Sequence, residues 1–297
     1  MIVNYIILHY KNINDTINCV ESLLKIINPN HKIVVVDNGS NDGSGEKLEE
    51  NYCCYRQIKV LKLPKNVGFS KGNNAGYQYI KKELKSDFIV ITNNDVIFYQ
   101  DDFEGKIESI YLETKFHVLG PDVYIPRHKD HQNPLFKTPI NIEELKNEIN
   151  QYKYYKNYPN RFEERLKIHI LKNMLCSNNK MINFLYSKFR KKEVLDYRKR
   201  YMNVGLQGSC LIFSKDFIDN ENKAFDPEPF LYEEEVFLFL RCKKRNYKML
   251  YDPSIGIIHA EAASFTHSTK NNKERITFML EHHIKSREAL LDYMSTR

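Results

Sequence analysis

The sequence predicts an α/β protein in which a parallel sheet is flanked by helices. Three short runs rich in Ile and Val occupy residues 3–8, 33–36 and 88–91, and continuous apolar runs of this length are typical of strands buried on both faces. Helical patterns lie between the runs, and strands that alternate with helices indicate a parallel sheet. With 297 residues and a hydrophobic content of 42%, the chain can bury a sizeable core, which excludes a disordered protein.

The first helix is predicted between the first two strands. Asp15 is a candidate N-cap, and apolar residues follow it at helical spacing until Asn28-Pro29 ends the pattern. Between the second and third strands, a glycine-rich turn leads into a helix over residues 72–84. In the last third of the chain we predict a strand over 208–213, a helix over 230–241, short strands over 249–251 and 255–259, and a final helix over about 273–294.

A basic helical insertion is predicted over residues 128–202. This segment is rich in Tyr, Asn and Lys, and its apolar residues recur at roughly helical intervals beside basic ones. Lys and Arg outnumber Asp and Glu by 45 to 38 in the whole chain, and residues 161–200 contain 12 of the basic but only 4 of the acidic residues. The positive charge is therefore local, which indicates an anionic partner such as lipid headgroups or a polyphosphate.

Hydropathy and cysteine spacing bear on the compartment. No apolar stretch approaches the roughly 18–20 residues needed to span a bilayer, and the first ten residues lack the features of a signal peptide. We therefore expect a cytoplasmic protein. The six cysteines form no CxxC motif and no Cys/His cluster at zinc spacing, so neither a disulfide framework nor a structural zinc site is expected.

Polar residues follow each of the three Ile/Val runs, at His9-Tyr10, residues 37–40 and residues 93–95. Because ligands of such sheets bind beyond the carboxyl ends of the strands, we expect these residues to converge on one edge. Asp37 has two interpretations there. Its carboxylate can accept the imide N–H of a uracil or thymine ring, or it can cap the helix that follows.

A glycine-rich loop spans residues 66–76, immediately ahead of a predicted helix. Glycines at such a place allow the backbone to approach a phosphate or a base edge, although they often serve only the turn itself. The loop lacks the G-x-G-x-x-G fingerprint and opens the third strand–helix unit instead of the first, so it does not indicate a dinucleotide site.

Candidate metal ligands and a candidate base follow further along the chain. Asp95 ends the strand at 88–92 and can hold a hard divalent cation, or it is a solvated turn residue; His259 ends another strand and is either a nitrogen ligand or an ordinary polar residue. Residues 233–235 are three consecutive glutamates in an apolar setting. Crowded carboxylates have raised pKa values, which suits a general base, but a Glu run is also typical of a solvated first helical turn.

Taken in sequence order, these segments resemble the family 2 glycosyltransferases with the GT-A (Rossmann-like) fold, especially the bacterial rhamnosyl- and galactosyltransferases of surface polysaccharide assembly. The resemblance covers about residues 1–127 and 203–268. The matching stretches are residues 34–44, 66–69 with 72–76, 93–95, 208–209 and 230–235. One such motif is weak evidence, but five in order are strong.

The resemblance implies a nucleoside pocket and a metal motif. Asp37 matches the residue that contacts the pyrimidine of a UDP- or dTDP-sugar. The further positions that match this pocket and the metal motif are Asn66, Gly68, Phe69 and Asn94. Asp95 matches the ligand of a divalent metal, Mn²⁺ or Mg²⁺, and His259 matches a histidine that often assists it. Relatives commonly have glycines or another histidine after this position, whereas this chain continues His259-Ala260-Glu261.

The resemblance also implies an inverting transfer to an acceptor hydroxyl. Glu234-Glu235 matches a Glu-Asp pair whose second carboxylate is the catalytic base, and Glu235 is one methylene longer than that Asp. The implied domains are a nucleotide-sugar-binding half over 1–127, the insertion over 128–202, an acceptor and catalytic half over 203–268, and a C-terminal helix over 269–297.

The implied partners are a saccharide acceptor linked to a polyprenyl diphosphate and, for the insertion, the anionic inner face of the cell membrane. The insertion is equally well interpreted as a helical lid over the acceptor site. In either case the resemblance implies that the protein takes part in assembly of a surface glycan such as a capsule or O-antigen.

Two other functions compete with this one. A nucleotidyltransferase acting on a sugar phosphate shares the α/β architecture, but it calls for a Gly-rich loop after the first strand, where this chain has His9-Tyr10-Lys11-Asn12. A nucleic-acid-binding protein would use the basic stretch at 161–200 but would leave the carboxylates without a role, so no nucleic-acid partner is expected.

Overall fold

A computed structural model describes residues 1–165, 195–261 and 272–296 of the chain. The chain divides into two compact units. The first unit comprises Met1–Pro139 and Asp196–Ser268, and the second comprises Ile140–Leu195 and Thr269–Arg297. Residues 128–139, which we predicted to open the basic insertion, are thus part of the first unit.

The strands all lie in the first unit. They are β1 (Val3–His9), β2 (Ile33–Asp37), β3 (Ile58–Lys62), β4 (Phe88–Asn93), β5 (Val96–Ile97), β6 (Val118–Ile125), β7 (Asp130–His131), β8 (Tyr201–Met202), β9 (Cys210–Ser214) and β10 (Met249–His259). The labelled helices are α1 (Ile13–Leu24), α2 (Ser44–Tyr52), α3 (Phe69–Glu83), α4 (Phe103–Thr114), α5 (Ile142–Asn157), α6 (Lys215–Asn220), α7 (Glu234–Arg245) and α8 (Asn272–Ser295).

The strands form one mixed sheet in the order β3-β2-β1-β4-β9-β6-β10-β5, with β7 paired to β6 and β8 paired to β10. Strands β3, β2, β1 and β4 run parallel, as the alternation of strands and helices predicts. Strand β9 runs antiparallel to both of its neighbours, β4 and β6. The prediction of a parallel sheet was therefore wrong at this position. Because β9 runs the opposite way, it begins at the edge where β1, β2 and β4 end.

The core of the first unit lies against both faces of the sheet. Side chains of β1, β2 and β4 are fully buried along nearly their whole length, and each fully buried Val or Ile contributes about 1.5–3 kcal/mol. Helix α3 packs closely here because a Cβ added at Gly72 would lie 2.6 Å from Leu8, and one added at Gly76 would lie 2.8 Å from Ile6. These two glycines of the predicted loop therefore serve helix–sheet packing.

Some predicted elements have different bounds in the structure. Helix α3 begins at Phe69, three residues before the predicted start, and α7 runs over Glu234–Arg245 instead of 230–241. The two short strands predicted over 249–251 and 255–259 are one strand, β10, with an irregularity between Asp252 and Gly256 where its register against β6 shifts.

The second unit contains α5 and α8. Its apolar cluster consists of Phe162, Ile276 and Leu280, and ion pairs such as Lys153–Glu288 and Lys156–Glu281 join the two helices. Of the stretch at 161–200, where the sequence concentrates positive charge, residues 161–165 lie in this unit and carry two basic and two acidic side chains. Residues 166–194 lie outside the described residues, and residues 196–200 belong to the first unit.

Within the described parts of the chain, no helix is both long enough and apolar enough to cross a membrane.

Candidate active site

Four chain segments meet at one edge of the sheet. The register pairs His9 of β1 with Asp37 of β2, and Leu8 of β1 with Asn93 of β4, so the three parallel strands end at the same level. The backbone N–H of Asn93 donates to the carbonyl of Ser209 at 2.8 Å, which brings the residues ahead of β9 to this edge. The predicted convergence of polar strand ends is therefore present.

Asp37 is a buried residue whose carboxylate organises the turn that follows β2. Its Oδ1 accepts hydrogen bonds from the backbone N–H of Ser40 at 3.0 Å and from the Ser40 hydroxyl at 2.5 Å. A Cβ added at Gly45 would lie 2.2 Å from Oδ2, so the other oxygen faces the first turn of α2. These contacts hold the turn at Ser40 and are not a cap of α2, whose N-cap residue is Gly43 and receives no side-chain hydrogen bond. The contact of Asp37 with a pyrimidine remains a prediction.

A buried hydrogen-bond network surrounds His9, which the sequence analysis did not single out. Its Nδ1 lies 2.7 Å from the Thr16 hydroxyl and its Nε2 lies 2.8 Å from the Ser44 hydroxyl. Burial lowers the pKa of the His9 imidazole, with a partial offset from Asp37 and Asp42, so the neutral ring is favoured. Because Ser44 donates to Asp42, Nε2 carries the proton and Nδ1 accepts from Thr16.

Asn94 belongs to the same network. Its side-chain amide donates to the Asn12 carbonyl at 3.2 Å and to the Thr16 hydroxyl at 3.0 Å. Both contacts tie the turn after β4 to the start of α1. The amide hydrogens of Asn94 are thus engaged within the protein, and its contact with a nucleotide stays a prediction.

The predicted nucleoside loop docks on the segment that precedes α7. Asn66 holds the loop together, since its Oδ1 accepts from Asn38 Nδ2 at 3.1 Å and from the N–H of Gly68 at 2.9 Å. Gly68 has φ of +87°, and a Cβ there would lie 2.4 Å from the carbonyl of Phe230. The N–H of Phe69 donates to that carbonyl at 2.7 Å. Only glycine meets both demands at position 68.

Asp95 and His259 form a buried pair. Oδ1 of Asp95 lies 3.2 Å from Nε2 of His259, and the residues are 6% and 8% exposed. The pair forms because β5 runs antiparallel to the end of β10, where the N–H of Ala260 donates to the Asp95 carbonyl at 2.9 Å. The sequence therefore identified two residues 164 positions apart that the fold places in contact.

The donor atoms of this pair suit a divalent cation. Nδ1 of His259 lies 3.0 Å from Oε1 of Gln132, and an amide oxygen can only accept, so Nδ1 carries a hydrogen. Nε2 then faces the Asp95 carboxylate with its lone pair, unless a proton or a metal ion lies between them. Among the described residues no cluster of three or more His, Cys, Asp or Glu side chains could hold a metal, so this pair would supply only two ligands.

Two strained residues precede the glutamate pair. Tyr232 and Glu233 have φ of 68° and 64°, a left-handed conformation that costs on the order of 1–3 kcal/mol for a residue other than glycine. Helix α7 therefore begins only at Glu234. Oε1 of Glu235 accepts from the N–H of Gly208 at 3.3 Å, whereas Oε2 of Glu234 is buried and has no hydrogen-bond partner among the described residues.

The surroundings of the two glutamates raise both pKa values. Burial, followed by the charge of Glu235, raises the pKa of the Glu234 carboxyl well above its ordinary value. Burial also raises the pKa of Glu235, with an offset from backbone N–H groups that include that of Gly208. The interpretation as a solvated first helical turn does not describe these carboxyls.

Gln132 and Asn133 are site residues that the sequence analysis missed. Both fall in the predicted insertion, and neither lies in a periodic segment or a motif. Gln132 contacts His259, while Oδ1 of Asn133 accepts from the N–H of Gln207, next to Gly208. Only long-range contacts reveal them.

The fold and this edge define the class of protein. A family model described as "Glycosyl transferase family 2" matches residues 5–197, which is more than half of the chain. The chain belongs to this family, and the family predicted from its motifs is confirmed.

Comparison with known proteins gives similarities to other glycosyltransferases. The Haloferax volcanii protein "Low-salt glycan biosynthesis hexosyltransferase Agl10" is 27% identical over 118 residues, which are 40% of this chain and 35% of Agl10. The chain thus spans about a third of the length of that relative.

Two crystal structures share the fold, and the predicted GT-A class is confirmed. S. aureus TarS 1–349 has a TM-score of 0.53 at 12% identity, over 96% of this chain and 71% of that one. GalNAc-T7 with UDP, GalNAc and Mn²⁺ has a TM-score of 0.55 at 11% identity, over 87% and 43%.

Proposed function

We propose that this chain transfers a sugar from a UDP- or dTDP-sugar to a hydroxyl of a saccharide acceptor, with inversion at the anomeric carbon. One observation carries the proposal. The Asp37 turn, the Asp95–His259 pair and the half-buried Glu234–Glu235 pair gather at a single sheet edge, and hydrogen bonds link neighbouring segments there. Membership in the glycosyl transferase family supports the reaction class.

In this proposal the donor nucleoside lies between Asp37 and the loop at residues 66–69. The Asp37 carboxylate accepts the imide N–H of uracil or thymine, a contact that adenine cannot supply. The ring of Phe69, which packs edge-on to Phe225 at 5.4 Å, provides an apolar wall. Asn66, Gly68 and Asn94 shape the pocket through the backbone turns that they hold.

Asp95 and His259 would hold a divalent cation, Mn²⁺ or Mg²⁺. A carboxylate oxygen and an imidazole nitrogen are both accepted by Mn²⁺, and a two-residue set leaves positions for water and substrate oxygens. When bound there, the cation supplies positive charge beside the diphosphate as the sugar departs. The solved relative GalNAc-T7, whose crystal contains UDP and Mn²⁺, supports this assignment.

Glu235 is the proposed base. Two neighbouring carboxyls with raised pKa values favour a state in which they hold one proton between them. Glu234, whose Oε2 is buried without a hydrogen-bond partner among the described residues, retains that proton. Glu235, which accepts from the N–H of Gly208, is then the carboxylate that can receive another.

The proposed transfer is a single displacement at the anomeric carbon. The acceptor hydroxyl oxygen forms a bond to the anomeric carbon from the face opposite the nucleotide, while the bond from that carbon to the diphosphate oxygen breaks. The hydroxyl proton passes to Glu235, and the nucleoside diphosphate leaves with the bonding electron pair. The product has the opposite anomeric configuration.

The acceptor and the setting belong to the same proposal. We place the chain in assembly of a surface glycan, with hexose or rhamnose as the transferred sugar and a polyprenyl-diphosphate-linked saccharide as acceptor. The similarity to Agl10, a hexosyltransferase of low-salt glycan biosynthesis, supports this setting. Contact of residues 128–202 with the anionic inner membrane surface remains the proposed role of the basic segment.

Thermal-shift measurements and a transfer assay test the function. We expect UDP or dTDP, but not GDP or CDP, to raise the melting temperature, and to do so more strongly with Mn²⁺. Asp37→Ala should remove the response to the nucleotide, whereas the control Asp42→Ala should keep it. Stabilisation of the wild type by GDP alone would contradict the role of Asp37, and absence of sugar transfer with every UDP- and dTDP-sugar would contradict the donor class.

A further inference from the structure

We propose that Gln132, held in place by Glu261, is a positioning residue that presents Nε2 of His259 as a metal-binding lone pair. This inference rests on the proposed metal role of Asp95 and His259. It concerns two residues that lie outside every sequence motif. Gln132 comes directly after β7, and Glu261 comes two residues after the end of β10.

The three side chains form a hydrogen-bonded relay. Nδ1 of His259 lies 3.0 Å from Oε1 of Gln132, and Nε2 of Gln132 donates to Oε1 of Glu261 at 2.7 Å. Oε2 of Glu261 lies 3.4 Å from Nε2 of His128. The relay thus begins at a carboxylate near the surface and ends at the buried imidazole.

Glu261 determines which way the Gln132 amide points. A carboxylate only accepts, so the Gln132 group that faces it must be the NH₂. The flipped amide would place its oxygen 2.7 Å from a carboxylate oxygen, with no hydrogen between them. The amide oxygen is therefore directed at His259.

The amide in turn selects the tautomer of His259. Because Oε1 of Gln132 accepts, Nδ1 carries the hydrogen and Nε2 of the neutral ring is unprotonated. Nε2 is also the nitrogen that faces Asp95 at 3.2 Å. Histidines that bind a metal through one ring nitrogen usually donate a hydrogen bond from the other, and this bond sets the tautomer and the orientation of the ring.

The backbone around the relay holds its members in place. The N–H of Gln132 donates to the carbonyl of Val123 at 2.9 Å, which anchors the residue to β6. Glu261 has φ of 47°, a left-handed conformation that turns the chain as it leaves β10.

The neighbour of Gln132 connects to the other half of the site. Nδ2 of Asn133 donates to the Pro121 carbonyl at 2.8 Å, and its Oδ1 accepts from the N–H of Gln207 at 2.9 Å. Gln207 precedes Gly208, whose N–H binds Glu235. Gln132 therefore contacts the metal pair, while Asn133 contacts Gln207, the neighbour of the residue whose N–H binds the proposed base.

Affinity for Mn²⁺ in the presence of UDP tests the relay, measured from the free Mn²⁺ signal in electron paramagnetic resonance. We expect Gln132→Ala to weaken Mn²⁺ binding about 10- to 100-fold, the range known for loss of such second partners. Gln100→Ala is the matched control, because Gln100 accepts from Gly256 on the same strand but does not contact His259. Equal Mn²⁺ affinity in the wild type and Gln132→Ala would overturn the proposal.

A double-mutant cycle and a spectroscopic signature complete the test. If Gln132 and Glu261 act through one relay, Gln132→Ala with Glu261→Ala should weaken Mn²⁺ binding no more than Gln132→Ala alone. In long-range ¹H–¹⁵N spectra of the metal-free wild type, with the ring neutral, His259 should show a protonated Nδ1 and an unprotonated Nε2. A protonated Nε2 in that state would also overturn the relay.

The spectrum separates this inference from the proposed function. It reports the tautomer without any metal or sugar. If the wild type shows the protonated Nδ1 but binds no Mn²⁺, the proposed metal role fails while the orienting contact of Gln132 is supported. If Mn²⁺ binds and the spectrum shows a protonated Nε2, the metal role survives and the relay fails.

Discussion

The backbone N–H of Gly208 donates to Oε1 of Glu235 at 3.3 Å. This bond joins the residue pair ahead of β9 to the first turn of α7, and Ser209 in turn accepts from the N–H of Asn93 at the end of β4. The half-buried Glu235 side chain is thereby held at the edge where β1, β2 and β4 end. The arrangement leads to the following expectations.

Glu235→Gln should abolish most transfer while donor binding remains. The amide keeps the shape of the side chain and can still accept from Gly208, but it cannot take up the acceptor proton. Removal of a general base typically lowers the rate about 10²- to 10⁴-fold. Turnover numbers, together with UDP-dependent thermal shifts, measure the two effects. Normal turnover in Glu235→Gln, with loss in Glu234→Gln, would transfer the role of base to Glu234.

Asp95→Ala should remove the dependence of donor binding on Mn²⁺. The carboxylate supplies the only negative charge of the proposed two-ligand set, so its loss leaves His259 alone with the cation. Titration calorimetry of UDP with and without Mn²⁺ gives the measurement. Asp122→Ala is a suitable control, because Asp122 pairs with His131 on the same sheet but makes no contact with His259. An undiminished Mn²⁺ effect in Asp95→Ala would remove Asp95 from the metal site.

The Glu234–Glu235 pair should make the free energy of unfolding depend on pH. The folded-state pKa of Glu234 is raised above its ordinary value of 4.5, so the folded state binds more protons than the unfolded state above that pH. The free energy of unfolding therefore falls as pH rises from about 4.5 towards the raised folded-state pKa. Glu234→Gln removes this loss, and its melting temperature relative to the wild type should increase from pH 4.5 to pH 7.5.

The matched control for that comparison is Glu46→Gln on α2, where the side chain is 63% exposed. Its difference from the wild type should stay nearly constant over the same pH range. A constant difference for Glu234→Gln as well would show that folding does not raise the pKa of the Glu234 carboxyl.

Gly68→Ala should destabilise the protein more than Gly43→Ala. Gly43 has φ of 81° and ψ of 0°, where an alanine pays about 1–2 kcal/mol for a left-handed conformation. Gly68 has φ of 87° and ψ of 176°, a region that is essentially restricted to glycine, so an alanine pays more there. At Gly68 the new Cβ would also lie 2.4 Å from the Phe230 carbonyl, whereas at Gly43 nothing lies within 4 Å. Chemical denaturation measures the difference, which we expect to exceed 1 kcal/mol. Equal losses would mean that residues 66–69 move away from Phe230 at little cost.

The fold class of the chain could be predicted from local sequence patterns alone. Strands β1, β2 and β4 were predictable because burial on both faces demands an unbroken apolar run, which is visible without any partner strand. The order of the motifs predicted the family, and the polar residues at the strand ends predicted the edge at which they meet. Strand β3, by contrast, alternates a buried Val60 with exposed or half-buried neighbours and left only a weak signal.

Tertiary structure decided between interpretations that spacing left open. The role of Asp37 in holding its turn depends on its contacts with Ser40 and Gly45. The solvation of the glutamate run depends on the burial of Glu234 Oε2 and on the N–H of Gly208, which binds Glu235 from 27 residues away. Gln132 lies in a segment with no periodicity, so its contact with His259 had no trace in the sequence. The reason is physical: periodicity and turn residues record the backbone conformation of a segment, whereas burial and hydrogen-bond partners come from segments that only the folded chain brings together.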